Sequence, residues 1–244
     1  MMSAIPDEFH LIAEKISAEI KAGNSVAALQ SAAVGFPGQV VFSSSLGKED
    51  QVLTEMIATA GLAQKIEIFS LDTGRLFEET QYLLNLTNKA YSLKIKVYFP
   101  EAGDVETLVR EKGSYSFFDS VENRKECCFI RKVKPLKRAL QNQKIWVTGI
   151  RAAQSTGRAE MLPVELDEDH NVLKIHPLFY FTDEELESYI QEHSVPVNEL
   201  HKKNYPSIGC APCTSPVKPG DDPRSGRWWW EQNTGRECGL HAAN

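Results

Sequence analysis

The sequence predicts an α/β protein with a mostly parallel sheet and helices on both of its faces. Three observations carry that prediction. Short apolar runs recur at 39–42, 66–70, 93–99 and 145–148. Stretches with apolar residues at helical spacing lie between them. Small-residue turns follow the strands at 43–47, 71–74 and 149–151, where parallel sheets gather their ligand-binding loops.

Each element follows in chain order. Phe9, Ile12, Ile16 and Ile20 fall on one helical face, so residues 8–21 read as an amphipathic lead helix. Strand 39–42 runs into Ser43-Ser-Ser-Leu-Gly47, and a helix spans about 49–60. Strand 66–70 ends at Leu71-Asp-Thr-Gly74, followed by a helix over 77–90 and a third strand over 93–99. A helix starting near Cys128 leads to a fourth strand at 145–148. This alternation implies right-handed βαβ units. Beyond 172–177 and a helix over 183–193 capped by Thr182, the texture changes. From Tyr205 onward Gly, Pro, Asp, Asn and Arg dominate, with Trp228-Trp-Trp230 as the bulky cluster. The expected organisation is one α/β domain over 1–213 and a mobile, extended C-terminal tail over 214–244.

Composition narrows the function. The chain has 244 residues, 42% of them hydrophobic, enough for one substantial core. Its net charge of −6 argues against nucleic-acid and anionic-membrane partners, while an anionic small molecule remains compatible with local basic clusters. No apolar run reaches the roughly 18 residues of a membrane span, and the first residues lack a basic-then-apolar leader. The expectation is a cytoplasmic protein, in whose reducing surroundings clustered cysteines bind metal or do redox chemistry.

The first chemical motif is Ser43-Ser-Ser-Leu-Gly-Lys-Glu-Asp50. Small residues between a strand and a helix expose backbone N–H groups, and the helix start adds partial positive charge, so Ser43, Ser44, Ser45 and Gly47 are candidate anion ligands. It is not the GxxxxGK[ST] phosphate loop, because Glu49 follows Lys48. A plain Ser-capped connection is the alternative. The next turn, Leu71-Asp-Thr-Gly-Arg75, is either a cap with a glycine turn or a rim presenting Arg75 and the Leu71 backbone to a ligand.

Five cysteines are more informative. Cys210-Ala-Pro-Cys213 is a C-x-x-C, which serves equally as a redox dithiol, half a zinc site or half an iron–sulfur site. Cys127-Cys128 discriminates, since two adjacent thiolates crowd one tetrahedral zinc ion but reach separate irons of a cubane cluster. Arg131, Lys132, Lys134, Lys137 and Arg138 add positive charge there. A [4Fe–4S] cluster is favoured, with zinc, a disulfide or dithiol, and buried free thiols as alternatives. Cys238 stands apart, among Arg236 and His241, which would favour its thiolate. A cysteine so placed is incidental or a nucleophile. Arg224-Ser-Gly-Arg227 before it supplies two arginines that clamp phosphate or sulfate oxygens, and the tryptophans would anchor this segment as a lid.

These residues resemble a known family. Cys127-Cys-Phe-Ile-Arg-Lys-Val-Lys-Pro-Leu136, Leu71-Asp-Thr-Gly-Arg-Leu76, Ser207-Ile-Gly-Cys-Ala-Pro-Cys-Thr214, Gly226-Arg-Trp-Trp-Trp-Glu231 and Glu237-Cys-Gly-Leu-His241 are similar to assimilatory adenosine 5′-phosphosulfate (APS) reductases, within the wider 3′-phosphoadenosine phosphosulfate (PAPS) reductase family. The resemblance runs in order from about Val40 to the C-terminus. It implies an adenine nucleotide α-hydrolase-like fold and a [4Fe–4S] cluster on Cys127, Cys128, Cys210 and Cys213. It implies that Cys238 attacks the sulfur of APS, forming S-sulfocysteine that thioredoxin or a similar dithiol resolves to sulfite. Lys132 is then expected between cluster and sulfate, and Arg224 and Arg227 on the phosphosulfate. The loop Ser43, Ser44, Ser45 and Gly47 would cradle the nucleotide, the backbone at Leu71 and Gly149 would read adenine, and Arg151, Arg158 and His241 would complete the pocket.

The Ser-rich loop departs from the S-G-G-x-D pattern of ATP pyrophosphatases on the same fold, which argues against ATP cleavage. Use of PAPS or of both nucleotides, an ATP-pyrophosphatase-type activity, and an iron–sulfur or zinc sensor are the competing readings. A homo-oligomer is compatible with the sequence.

Overall fold

The computed structural model describes residues 7–154, 158 and 160–231. Their helices and strands, in chain order, are α1 (Asp7–Lys21), α2 (Ser25–Gly35), β1 (Val40–Ser43), α3 (Lys48–Thr59), β2 (Glu67–Leu71), α4 (Glu78–Ala90), β3 (Lys96–Tyr98), α5 (Ala102–Lys112), α6 (Val121–Cys128), α7 (Lys134–Leu140), β4 (Ile145–Val147), β5 (Val164–Asp167), β6 (Val172–Ile175) and α8 (Asp183–Glu192). The strands form one six-stranded sheet in the order β3-β2-β1-β4-β6-β5. β1 is parallel to β2 and β4, and β4 is parallel to β6, while β5 closes the edge antiparallel to β6. The expected mostly parallel α/β sheet is therefore present.

The described residues group into two compact units, each drawn from separated stretches. The first takes in the chain up to Ser70, Leu83–Lys96 and Leu140–Val197. The second takes in Leu71–Tyr82, Val97–Ala139 and the described residues from Asn198 on.

In the first unit the strand alternation sorts two faces. Val40, Phe42, Ile145, Val147, Leu173 and Ile175 bury one face against Phe9, Ile16 and Ile20 of α1, Leu29 of α2, Leu53 and Ile57 of α3, and Leu186 and Ile190 of α8. Each such side chain contributes roughly 1.5–3 kcal/mol of burial. Ile12, on the predicted face of α1, packs beside them. The opposite face of the same strands is also buried but carries Trp146, Lys174 and His176. Thr182 caps α8 as expected, in a full capping box with Glu185.

The second unit corrects one expectation. No helix opens near Cys128. Ser120 caps α6, its hydroxyl accepting from the Asn123 N–H, and the helix runs from Val121 into the two cysteines. A π-helical segment, Phe129–Val133, then carries it into α7. The positive helix start thus lies near Val121, away from the thiols. The third strand is shorter than expected, three residues against the predicted 93–99. Within this unit Thr214 bridges Arg227 antiparallel, and Trp228 is 1% exposed.

Candidate functional site

The first unit presents a strand-end rim. β1 ends at Ser43 and α3 starts at Lys48, and the loop between them turns through Leu46, whose φ of 61° is left-handed. A buried leucine in that region stores strain that the surroundings must hold. Asp50 organises the loop. Its Oδ2 accepts from the Ser45 N–H and the Ser45 hydroxyl, both at 2.6 Å, while Ser44 Oγ accepts from the Leu46 N–H. Burial pushes the Asp50 carboxyl up to about 6, against the two Ser45 bonds that favour its ionised form.

The turn after β4 meets this carboxylate. A Cβ on Gly149 would stand 2.2 Å from Asp50 Oδ1, so only glycine fits. Ser43, Ser44, Ser45, Gly47 and Gly149, all predicted site residues, therefore share one rim. Arg151 is there too, but its guanidinium is committed to protein groups. It donates to Glu49 at 3.1 and 2.9 Å, to Asp183 at 2.7 Å and to the Phe181 carbonyl at 3.0 Å. Arg158 donates to Gln154 Oε1 and lies near enough to lower the Asp50 carboxyl.

The second unit holds the thiols. Cys127, Cys128, Cys210 and Cys213 are all buried and line one recess with Arg75, Phe117, Arg124, Arg131 and Lys132. The π segment carries Arg131 and Lys132 beside the double cysteine. Arg131 donates to the Thr73 carbonyl at 2.7 Å, the Ala211 N–H to the Arg75 carbonyl at 2.8 Å, and Thr73 Oγ1 lies 3.2 Å from Cys210 Sγ. Thr73 and Arg75 of the Leu71–Arg75 turn thus wrap the C-x-x-C within this unit. Burial, and then the neighbouring Cys210 and Cys128, push the Cys213 thiol up to about 12, with Lys132 opposing. Burial likewise raises the Cys127 thiol, opposed by Arg131 and Arg75.

The Arg227 guanidinium lies on Gly209, where a Cβ would stand 2.3 Å from Nη2, and over the Trp228 ring at 4.9 Å. Arg124 covers the same indole at 4.7 Å and holds Glu231 in a buried two-point pair at 2.8 and 2.9 Å. Trp228 itself has a left-handed φ of 45°. Arg224 sits in a turn whose N–H donates to Asp222 at 2.6 Å. Cys238 and His241 lie outside the described residues.

Sequence reasoning missed Asp50, Thr73, Arg124 and Glu231. Nothing local marks Arg124 and Glu231, because the two lie 107 residues apart. The described residues contain no group of three His, Cys, Asp or Glu side chains arranged to hold a single metal ion, and no helix long and apolar enough to cross a membrane.

The fold places the chain among α/β proteins of one architecture. It superposes on a PAPS reductase from Candida auris with a TM-score of 0.69 at 24% identity, covering 89% of this chain and all of that one. It also superposes on Candida glabrata FMN adenylyltransferase with a TM-score of 0.54 at 17% identity, covering 94% and 77%. Residues 39–216 match the phosphoadenosine phosphosulfate reductase domain, and the chain belongs to that family. Relatives include adenosine 5′-phosphosulfate reductases of Sinorhizobium fredii, 43% identical over 94% of this chain and 93% of the relative, and of Allochromatium vinosum, 48% identical over 83% and 78%.

Proposed function

We propose that this protein reduces adenosine 5′-phosphosulfate to sulfite and AMP. The observation that carries the reading is the gathering of four buried thiols round one cation-walled recess, in a chain whose relatives bear that enzyme's name. The Cys238 thiolate attacks the sulfur of APS, the S–O bond to the phosphate breaks, and its electron pair leaves with AMP. A dithiol protein of the thioredoxin type then attacks the Cys238 sulfur. Sulfite leaves, and the second thiol of the partner resolves the mixed disulfide, supplying two electrons in all.

Both reactants of the first step are anionic, so cations must meet the charge as it moves to the AMP oxygen. Lys132, Arg224 and Arg227 are assigned that role, and Ser43, Ser44, Ser45, Gly47, Gly149, Leu71, Arg151, Arg158 and His241 the binding of the nucleotide. Arg151 acts by fixing Glu49 and Asp183 rather than as an open clamp.

Four buried thiols lining one recess support the reading that a [4Fe–4S] cluster binds here. Burial pushes the Cys127 and Cys213 thiols upward, so a group that takes them as thiolates would have to bring positive charge. Cys127, Cys128, Cys210 and Cys213 would hold it. When bound, it would supply an electrostatic centre beside Lys132 and the arginines.

The test is anaerobic incubation with stoichiometric APS and no reductant. Mass analysis is expected to find a sulfonate on Cys238, released as sulfite by added thioredoxin. A parallel run with PAPS sets the nucleotide preference. Absence of any adduct from either nucleotide overturns the reading.

A further inference from the structure

One face of β4, β6 and β5 carries a row of polar side chains that the reaction does not use. Glu165 of the edge strand β5 stands in register with Lys174 of β6, which stands in register with Trp146 of β4. Lys174 Nζ donates to Glu165 Oε1 at 2.9 Å and lies 5.2 Å from the centre of the Trp146 ring. The Trp146 indole N–H donates to Ser43 Oγ at 2.8 Å. One route therefore runs from Glu165 to the end of β1.

A second route leaves the same carboxylate. His176 is fully buried, its Nε2 3.5 Å from Glu165 Oε1, an electrostatic contact longer than a good hydrogen bond. Its Nδ1 lies 2.7 Å from Thr148 Oγ1, and Thr148 Oγ1 accepts from the Ile150 N–H at 3.4 Å. Burial lowers His176 to about 4, so the ring is neutral at physiological pH and has one proton to give. Assigning that proton to Nε2, which faces the carboxylate, lets Thr148 donate to Nδ1 and still accept from Ile150. The Glu165 carboxyl is held down to about 2 by His176 and Lys174, although burial alone would raise it. It is charged throughout the working range.

We propose that Glu165 is a positioning residue that holds both strand ends of the rim, Ser43 through Lys174 and Trp146, and the 148–150 turn through His176 and Thr148. A lysine buried on a sheet face costs stability unless paired, and nothing in packing alone requires one at Lys174. Its pairing makes sense as a stiff connection from the sheet edge to two loops that must hold their backbone N–H groups still. The proposal rests on the reading of this rim as the adenine-nucleotide site.

The experiment is calorimetric titration of the full-length protein with AMP, with APS kinetics beside it. In Glu165→Gln, the AMP dissociation constant and the KM for APS are expected to rise at least about fivefold, with kcat and iron content unchanged. Trp146→Phe and Thr148→Val each cut one route while keeping the packing, and each is expected to give part of that rise. Thr148→Val added to Glu165→Gln is expected to add little, since both lie on one route. A folded Glu165→Gln protein with AMP affinity within about twofold of wild type overturns the proposal. If that variant does not fold, wild-type affinity in both single-route variants overturns it instead. Failure of the wild-type protein to bind AMP refutes the nucleotide reading itself, a different result from a wild type that binds and variants that match it.

Discussion

At the scale of single residues, the site is set by groups that no local motif announces. The cysteines were legible because two close pairs of a rare residue have few explanations. Asp50 was not, because an acid at a helix start is ordinary and only its burial makes it special. Its folded value of about 6 exceeds the usual 3.8, so between those values the folded chain holds this proton more tightly than the unfolded chain. The resulting stabilisation is full below about pH 4 and is lost as pH rises through about 6. Asp50→Asn keeps an oxygen for the two Ser45 donors and removes the charge. Its stability relative to wild type is expected to climb over that window, by about 3 kcal/mol at neutral pH. Urea denaturation at a series of pH values checks this, and parallel curves refute it. Gly209→Ala tests another hidden constraint, because its methyl group would displace the Arg227 guanidinium. On the proposed function kcat/KM for APS falls about tenfold or more while iron content holds. An unchanged kcat/KM separates Arg227 from the substrate.

At the scale of elements, legibility followed the hydrophobic pattern. β1, β2 and β4 were plain, being short apolar runs. β5 is hard to read because it is only four residues long, two of them acidic, in a turn-rich stretch. α2 was also passed over. Its Ala-rich sequence is apolar all round and shows no one-sided period. The start of α6 was displaced because its capping serine lies among polar residues that give no apolar rhythm. Within the second unit, the Arg124–Glu231 pair ties α6 to the segment after Trp228. Breaking it from one side, as Arg124→Met or Glu231→Gln, takes the ion-pair partner from a buried charge and is expected to cost about 3–5 kcal/mol. The double variant Arg124→Met with Glu231→Met is expected to recover most of that loss. Denaturant midpoints decide the matter, and additive single effects refute the coupling.

At the scale of the whole molecule, the division of labour among the five cysteines is open to direct test. Cys238→Ser is expected to abolish sulfite release while keeping the iron and its brown absorption. Cys128→Ser is expected to lose the iron. Full activity in the first variant, or full iron content in the second, removes the corresponding assignment. The family and sheet were legible over most of the chain, whereas the grouping into two units was not. Each unit is assembled from stretches far apart in sequence, and such pairings leave no local trace.

That interleaving governs how the protein is made. Cys127 and Cys128 leave the ribosome long before Cys210 and Cys213, and loop closure over so long a stretch is slow. A nascent chain ending before residue 210 owns half a thiol set and no recess. On the proposed function, loading of the cluster waits for synthesis of the second pair.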